Sequence, residues 1–246
     1  MDKTAQQESG RRLAKDISDK LSARRAAVLS LKGGELTDRR LLTQQALLTA
    51  GRALIAERGV AGTSVGDLTK AAGFTRGAFY SNFTDMDHFV AEVAQIEWDS
   101  MFADVQQILE NWEFTASDPI EGATRILLAA LPRERERYLL WNEFAIFEIR
   151  FPEESTTLSK NSKEFYAGLG QLLDLILKTF ELEPSHTTGD LVELIVSLSQ
   201  RSQRNELLSD RPSGDGSNTL LTRLLPDIIR SMTRPKAQGS EVAPTN

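Results

Sequence analysis

The 246-residue chain contains no cysteine and only two histidines, His88 and His186. Disulfides, thiolate nucleophiles and cysteine-based zinc sites are therefore excluded, and two histidines alone make neither a typical structural zinc site nor a Cys–His dyad. No apolar run approaches the ~18 residues a spanning helix needs. The first ten residues are polar and lack the apolar centre of a secretion signal, so a cytoplasmic location is expected. No catalytic constellation is evident: there is no P-loop and no G-x-G-x-x-G, and no cofactor is expected. The net charge of −6 argues against a chain coated in nucleic acid.

That charge is unevenly placed. Residues 1–90 hold 14 Lys+Arg against 10 Asp+Glu, a net of +4, whereas the remainder carries −10. A basic first third on an acidic body points to a polyanion partner for that third alone. Apolar spacings of three and four recur along the chain, and no period-2 run bounded by turn residues stands out, so an all-α fold is expected. The expected organisation is a basic N-terminal extension at 1–40, a compact helical block at 41–90, a larger helical region at 91–233 and a flexible tail at 234–246. Leu13, Ile17, Leu21 and Val28 stand at helical spacing within the extension, before Gly33-Gly34. Pro226 lies inside the last helical pattern and should kink it or mark its start.

The informative segment is 42–89. Leu42, Ala46, Ala50, Ala53 and Leu54 suggest an apolar stripe on a first helix that Gly59 can end. Thr63 or Ser64 can cap a second, short helix with Val65, Leu68 and Ala72 inward. Gly73 permits the left-handed backbone of a tight turn, with Phe74 expected to plug the core beneath it. Thr75 caps a third helix ending near Tyr80, Phe83 returns to the core, and Asp85 can cap a fourth helix. Two short helices joined by a Gly-containing turn form a helix-turn-helix, whose second helix enters the major groove of double-stranded DNA. Arg76 suits a guanine edge or a phosphate, Thr75, Tyr80 and Ser81 offer hydroxyls, and Gly77 lets the backbone come close to the duplex.

Here the sequence resembles the TetR family of bacterial regulators. The resemblance rests on G-V-A-G-T-S-V-G-D-L-T-K-A-A-G-F-T-R-G-A-F-Y-S-N-F, residues 59–83. The family pattern is a Gly, a Thr-Thr or Thr-Ser pair, an aliphatic helix, then A-G-[VF]-[ST]-x-G-x-[FLI]-Y-x-[HN]-F. The resemblance implies that Thr63 and Ser64 contact phosphate, that Thr75, Arg76 and Gly77 face base edges, and that Tyr80, Ser81 and Asn82 hold the DNA backbone. It places Phe74, Phe79 and Phe83 in the core. It further implies a homodimer on an inverted-repeat operator, a small-molecule effector, and repression as the usual mode.

One position departs from the family. The lysine usual three residues after the phenylalanine matched by Phe83 is Met86 here, between Asp85 and Asp87, two acids that would repel DNA if close. Arg39, Arg40 and the basic residues before them could supply the missing charge. Trp98, Phe102, Trp141, Phe144, Phe147 and Phe165 are the leading candidates for an effector pocket, with Trp112, Tyr138 and Tyr166 beside them, and Glu143 or Asn142 could orient a ligand. Aromatics at helical spacing are also ordinary core, so both readings stand. The leucine-rich last two helices suit dimerisation as a four-helix bundle. The competing functions are an effector-independent nucleoid or division factor on the same fold, and an α-helical enzyme with an incidental motif.

Overall fold

The computed structural model describes residues 38–110, 118–131, 133–209 and 219–236. Among these are nine α-helices: α1 Asp38–Arg58, α2 Val65–Ala72, α3 Arg76–Tyr80, α4 Met86–Glu110, α5 Pro119–Ala130, α6 Arg135–Arg150, α7 Thr156–Thr179, α8 Thr188–Leu207 and α9 Leu220–Met232. Trp112 and the helical pattern of the N-terminal extension lie outside the described residues.

The all-α expectation holds apart from one small pairing. β1 (Leu182–Pro184) and β2 (Thr233–Pro235) run antiparallel, with Glu183 opposite Arg234. Three-residue strands are too short to display a period-2 pattern, which is why the sequence hides them. They follow α7 and α9 directly and tie those helix ends together. Residues 234–236, expected to begin a loose tail, are seated here, and the Lys236 N–H donates to the Glu181 carbonyl at 2.8 Å. Pro226 lies within α9 and neither starts nor ends it.

The core has two parts. One joins α1, α2, α3, the first half of α4, α6 and the start of α7, around Leu47, Ile55, Leu68, Phe79, Phe83, Phe89 and Leu140. The other joins the end of α4 to α5, the second half of α7, α8 and α9, around Val105, Ile126, Ile176, Leu177, Leu225 and Ile229. Leu169 and Leu172 of α7 pack against both. The apolar stripe of α1 differs from expectation. Leu47, Leu48, Gly51 and Ile55 face inward, while Leu42 is 66% exposed and Ala53 is exposed. The true stripe pivots on a glycine, which no hydrophobic count includes. A Cβ at Gly51 would overlap the Phe89 ring, so α1 and α4 cross there at close range.

Charge also ties α1, α4 and α6 together beside the first core. Glu97 of α4 is 3% exposed. Arg52 of α1 donates to it at 2.5 Å and pairs also with Glu136 of α6. Arg137 of α6 faces the same carboxylate at 3.6 Å and donates to Asp104 at 3.1 Å and to Ser100 at 3.3 Å. The hydrogen bond to Glu97 is the main reason the Arg52 pKa is raised above its ordinary value. Further along α6, Glu143 accepts the Val60 N–H at 3.1 Å, just past the end of α1. α6 therefore grips α1 at two places.

Two predictions follow from this frame. Gly51→Ala overpacks a site bounded by two fully buried side chains, Phe89 and Leu68. After allowing for the better helix propensity of alanine, it should cost about 1–2 kcal/mol. Thermal unfolding should fall by about 2–4 °C for each kcal/mol, and an unchanged or raised midpoint would contradict the close crossing. Glu97→Ala removes the buried carboxylate that Arg52 and Arg137 share, leaving Arg52 with Glu136 and Arg137 with Asp104. Loss of one partner from a buried pair costs about 3–5 kcal/mol. Because Arg52 is one-third exposed, about 2–3 kcal/mol is expected here, measured by denaturant unfolding.

Candidate nucleic-acid interface

The segment from Gly59 to Phe83 forms two short helices at a tight turn because almost every helix end is capped. Ser64 caps α2: its hydroxyl accepts the Asp67 N–H, and the Asp67 carboxylate accepts the Ser64 N–H in return. The Ser64 hydroxyl also donates to that carboxylate, which holds Asp67 below the usual carboxylate range. Gly73 ends α2 at φ 74°, a left-handed conformation that glycine adopts without strain. The Phe74 N–H donates back to the Thr69 carbonyl at 2.8 Å. Two residues after Gly73, Thr75 caps α3, accepting the Ala78 N–H at 3.3 Å. Phe79, Phe83 and Phe89 pack with ring centroids 4.9–5.4 Å apart and fix α3 to the body.

The turn exposes Thr75, Arg76 and Gly77 together. The Arg76 guanidinium lies over α2, 3.2 Å from where a Cβ of Gly66 would stand, so a glycine there makes room for it. Tyr80 is 59% exposed beside them. Other expected residues sit differently. Thr63 is 6% exposed, and its hydroxyl donates to the Gly59 carbonyl at 2.8 Å, so it closes the α1–α2 turn from inside and is not presented to solvent. Ser64 is exposed. The Ser81 hydroxyl donates to the Ala78 carbonyl at 2.9 Å, and the Asn82 amide donates to the same carbonyl at 2.8 Å. Phe74, expected in the core, is 38% exposed, because the left-handed turn at Gly73 directs it outward.

The two acids beside Met86 do not stand as free charges. Asp85 caps α4 by accepting the His88 N–H at 2.8 Å. Asp87 reaches across and accepts the Thr157 and Leu158 N–H groups at the start of α7, at 2.9 and 3.2 Å. Each carboxylate sits at a helix N-terminus, where its charge is favoured. Met86 itself is partly buried against the first core.

Residues 62–66 also satisfy the literal spacing G-x-S-x-G. The serine of a nucleophile elbow follows a strand and faces a histidine. Ser64 instead follows a turn after α1 and is bound to Asp67, while the His88 ring pairs with Thr84 and Glu92.

The expected effector residues are mostly packed interior. Trp98, Phe102, Phe144, Phe147 and Phe165 are each 8% exposed or less, and Trp98 stacks on Phe165 at 4.9 Å. Trp141 alone of the six lines an open cleft, of about 70 Å³, with Met101, Val105, Leu127, Leu172 and Ile195 among its neighbours. Tyr138 and Asn142 of α6 line an adjoining hollow against α8. Glu143, considered a ligand-orienting group, is turned to Val60 instead.

The motif, its capped geometry and the exposed N-terminal end of α3 define a helix-turn-helix domain. Residues 47–93 match the family model for bacterial regulatory proteins of the tetR family. The chain is 32% identical over 103 residues to the HTH-type transcriptional regulator AcrR of Shigella flexneri, covering 40% of this chain and 46% of that protein. It is 32% identical over 92 residues to the HTH-type transcriptional repressor KstR2 of Mycolicibacterium smegmatis, covering 37% and 43%. The chain thus spans less than half the length of these curated relatives. Its fold resembles that of a TetR-family regulator from Rhodococcus sp., with TM-score 0.60 and 19% identity over 78% of this chain and 98% of that one. Residues 47–93 are thus a helix-turn-helix domain of the tetR type, and the fold of the described chain is like that of TetR-family regulators.

Proposed function

We propose that the protein is a sequence-specific transcriptional regulator, a repressor in its usual mode, that binds an inverted-repeat operator as a homodimer and is released by a small effector. The observation that carries this reading is the joint exposure of Thr75, Arg76 and Gly77 at the N-terminal end of α3. A recognition helix presents those positions to base edges in the major groove. The names of the two relatives, a regulator and a repressor, support it.

Dimerisation is assigned to α8 and α9, where Leu194 and Leu224 remain 40% and 42% exposed. Two protomers would set their α3 helices about 34–36 Å apart, one turn of DNA. The cleft at Trp141 suits an uncharged, apolar effector, since its lining is aliphatic apart from that indole. α6 is the inferred path to DNA. Trp141 faces the cleft, while Glu136 and Glu143 hold α1. A ligand that shifts α6 then alters how α1 carries α3, which couples two distinct sites.

A second reading is an effector-independent DNA-binding factor, such as a nucleoid or division protein. It is favoured by the close packing of the five expected pocket aromatics.

Selection of genomic fragments by the purified protein tests the proposal. An enriched inverted repeat supports it, and absence of any enrichment contradicts it. On such a fragment Arg76→Ala should lose about 1–3 kcal/mol of discrimination at one base position per half-site. A uniform loss across all sequences would reassign Arg76 to the phosphates.

A further inference from the structure

We propose that Arg40 is the cation that grips the DNA backbone at the C-terminal edge of α3, seated there by Ser81 and Asn82. This rests on the DNA-binding reading above. In the family pattern a lysine at the start of the fourth helix serves this edge, and here that position is Met86, partly buried against the core. Its neighbours Asp85 and Asp87 hold helix N-termini, so the start of α4 offers no lysine or arginine.

Arg40 comes to the same edge from α1. Its Nη2 donates to the Ser81 carbonyl at 2.9 Å, and its Nε donates to the Asn82 Oδ1 at 3.4 Å. These bonds span 41 and 42 residues of sequence. They engage two of the five N–H donors of a guanidinium, and the side chain stays exposed. The planar fork is thus held in one orientation beside α3, which lowers the entropy lost when it meets a phosphate.

The same geometry changes the role of its two partners. The Ser81 hydroxyl and the Asn82 amide both donate to the Ala78 carbonyl. Neither has its donor turned to solvent, whereas Arg40 stands over both. Ser81 and Asn82 are therefore positioning residues, and the phosphate contact passes to Arg40.

The test is binding to a duplex carrying a recovered fragment, followed by fluorescence anisotropy over a series of salt concentrations. Arg40→Ala should weaken binding to every sequence alike, by about tenfold, and reduce the salt slope by about 1. Arg40→Lys should keep the slope. Ser81→Ala, which leaves the carbonyl in place, should change affinity less than twofold. Arg40→Gln can still donate to the Ser81 carbonyl without carrying charge. It should reduce the slope by about 1, as alanine does, and it serves if the alanine variant fails to fold. An unchanged slope in Arg40→Gln, with wild-type binding intact, overturns this assignment and leaves Arg40 a purely structural clamp. Failure of the wild-type protein to bind any duplex overturns the functional reading itself.

Discussion

Glu97 lies inside α4 and is approached by guanidiniums from two other helices, Arg52 of α1 and Arg137 of α6. A buried carboxylate is tolerable only with such partners, because burial without them costs several kcal/mol. The consequence is positional. α1 carries the packing surface for α2 and α3, so whatever fixes α1 to α4 and α6 fixes the recognition helix to the body. The close crossing at Gly51 and the Glu143–Val60 hydrogen bond act on the same helix from other sides. Together they make the presentation of α3 a property of the whole frame.

Charge placement follows the same logic at the proposed DNA edge. The chain is acidic, yet the acids nearest α3 are held at helix ends: Asp67 at α2, Asp85 at α4 and Asp87 at α7. Each satisfies backbone N–H groups that would otherwise lack a partner. The surface between them is left to Thr75, Arg76 and Arg40. A sequence with net charge −6 can in this way present a locally basic edge to a polyanion.

Much of the helix-turn-helix was legible in the sequence because its signals are local. Ser64, Gly73 and Thr75 act within a few residues of themselves through caps and a left-handed turn. Phe79 and Phe83 are apolar at the spacing of one buried face. What was not legible depends on distant segments. The seat of Arg40 joins positions 41 residues apart, and Asp87 caps a helix 70 residues further on. The inward turn of Thr63 follows from a hydroxyl choosing the Gly59 carbonyl over solvent. The aromatic candidates for a pocket fell mainly into the core because a hydrophobic pattern marks burial without distinguishing filled space from a cleft.

The central claim is that this frame presents two copies of α3 to one face of DNA. Hydroxyl-radical footprinting on a bound fragment tests it most directly. The account predicts two protected patches related by a dyad, with centres about 10 base pairs apart. A single patch, or even protection along the fragment, would contradict it.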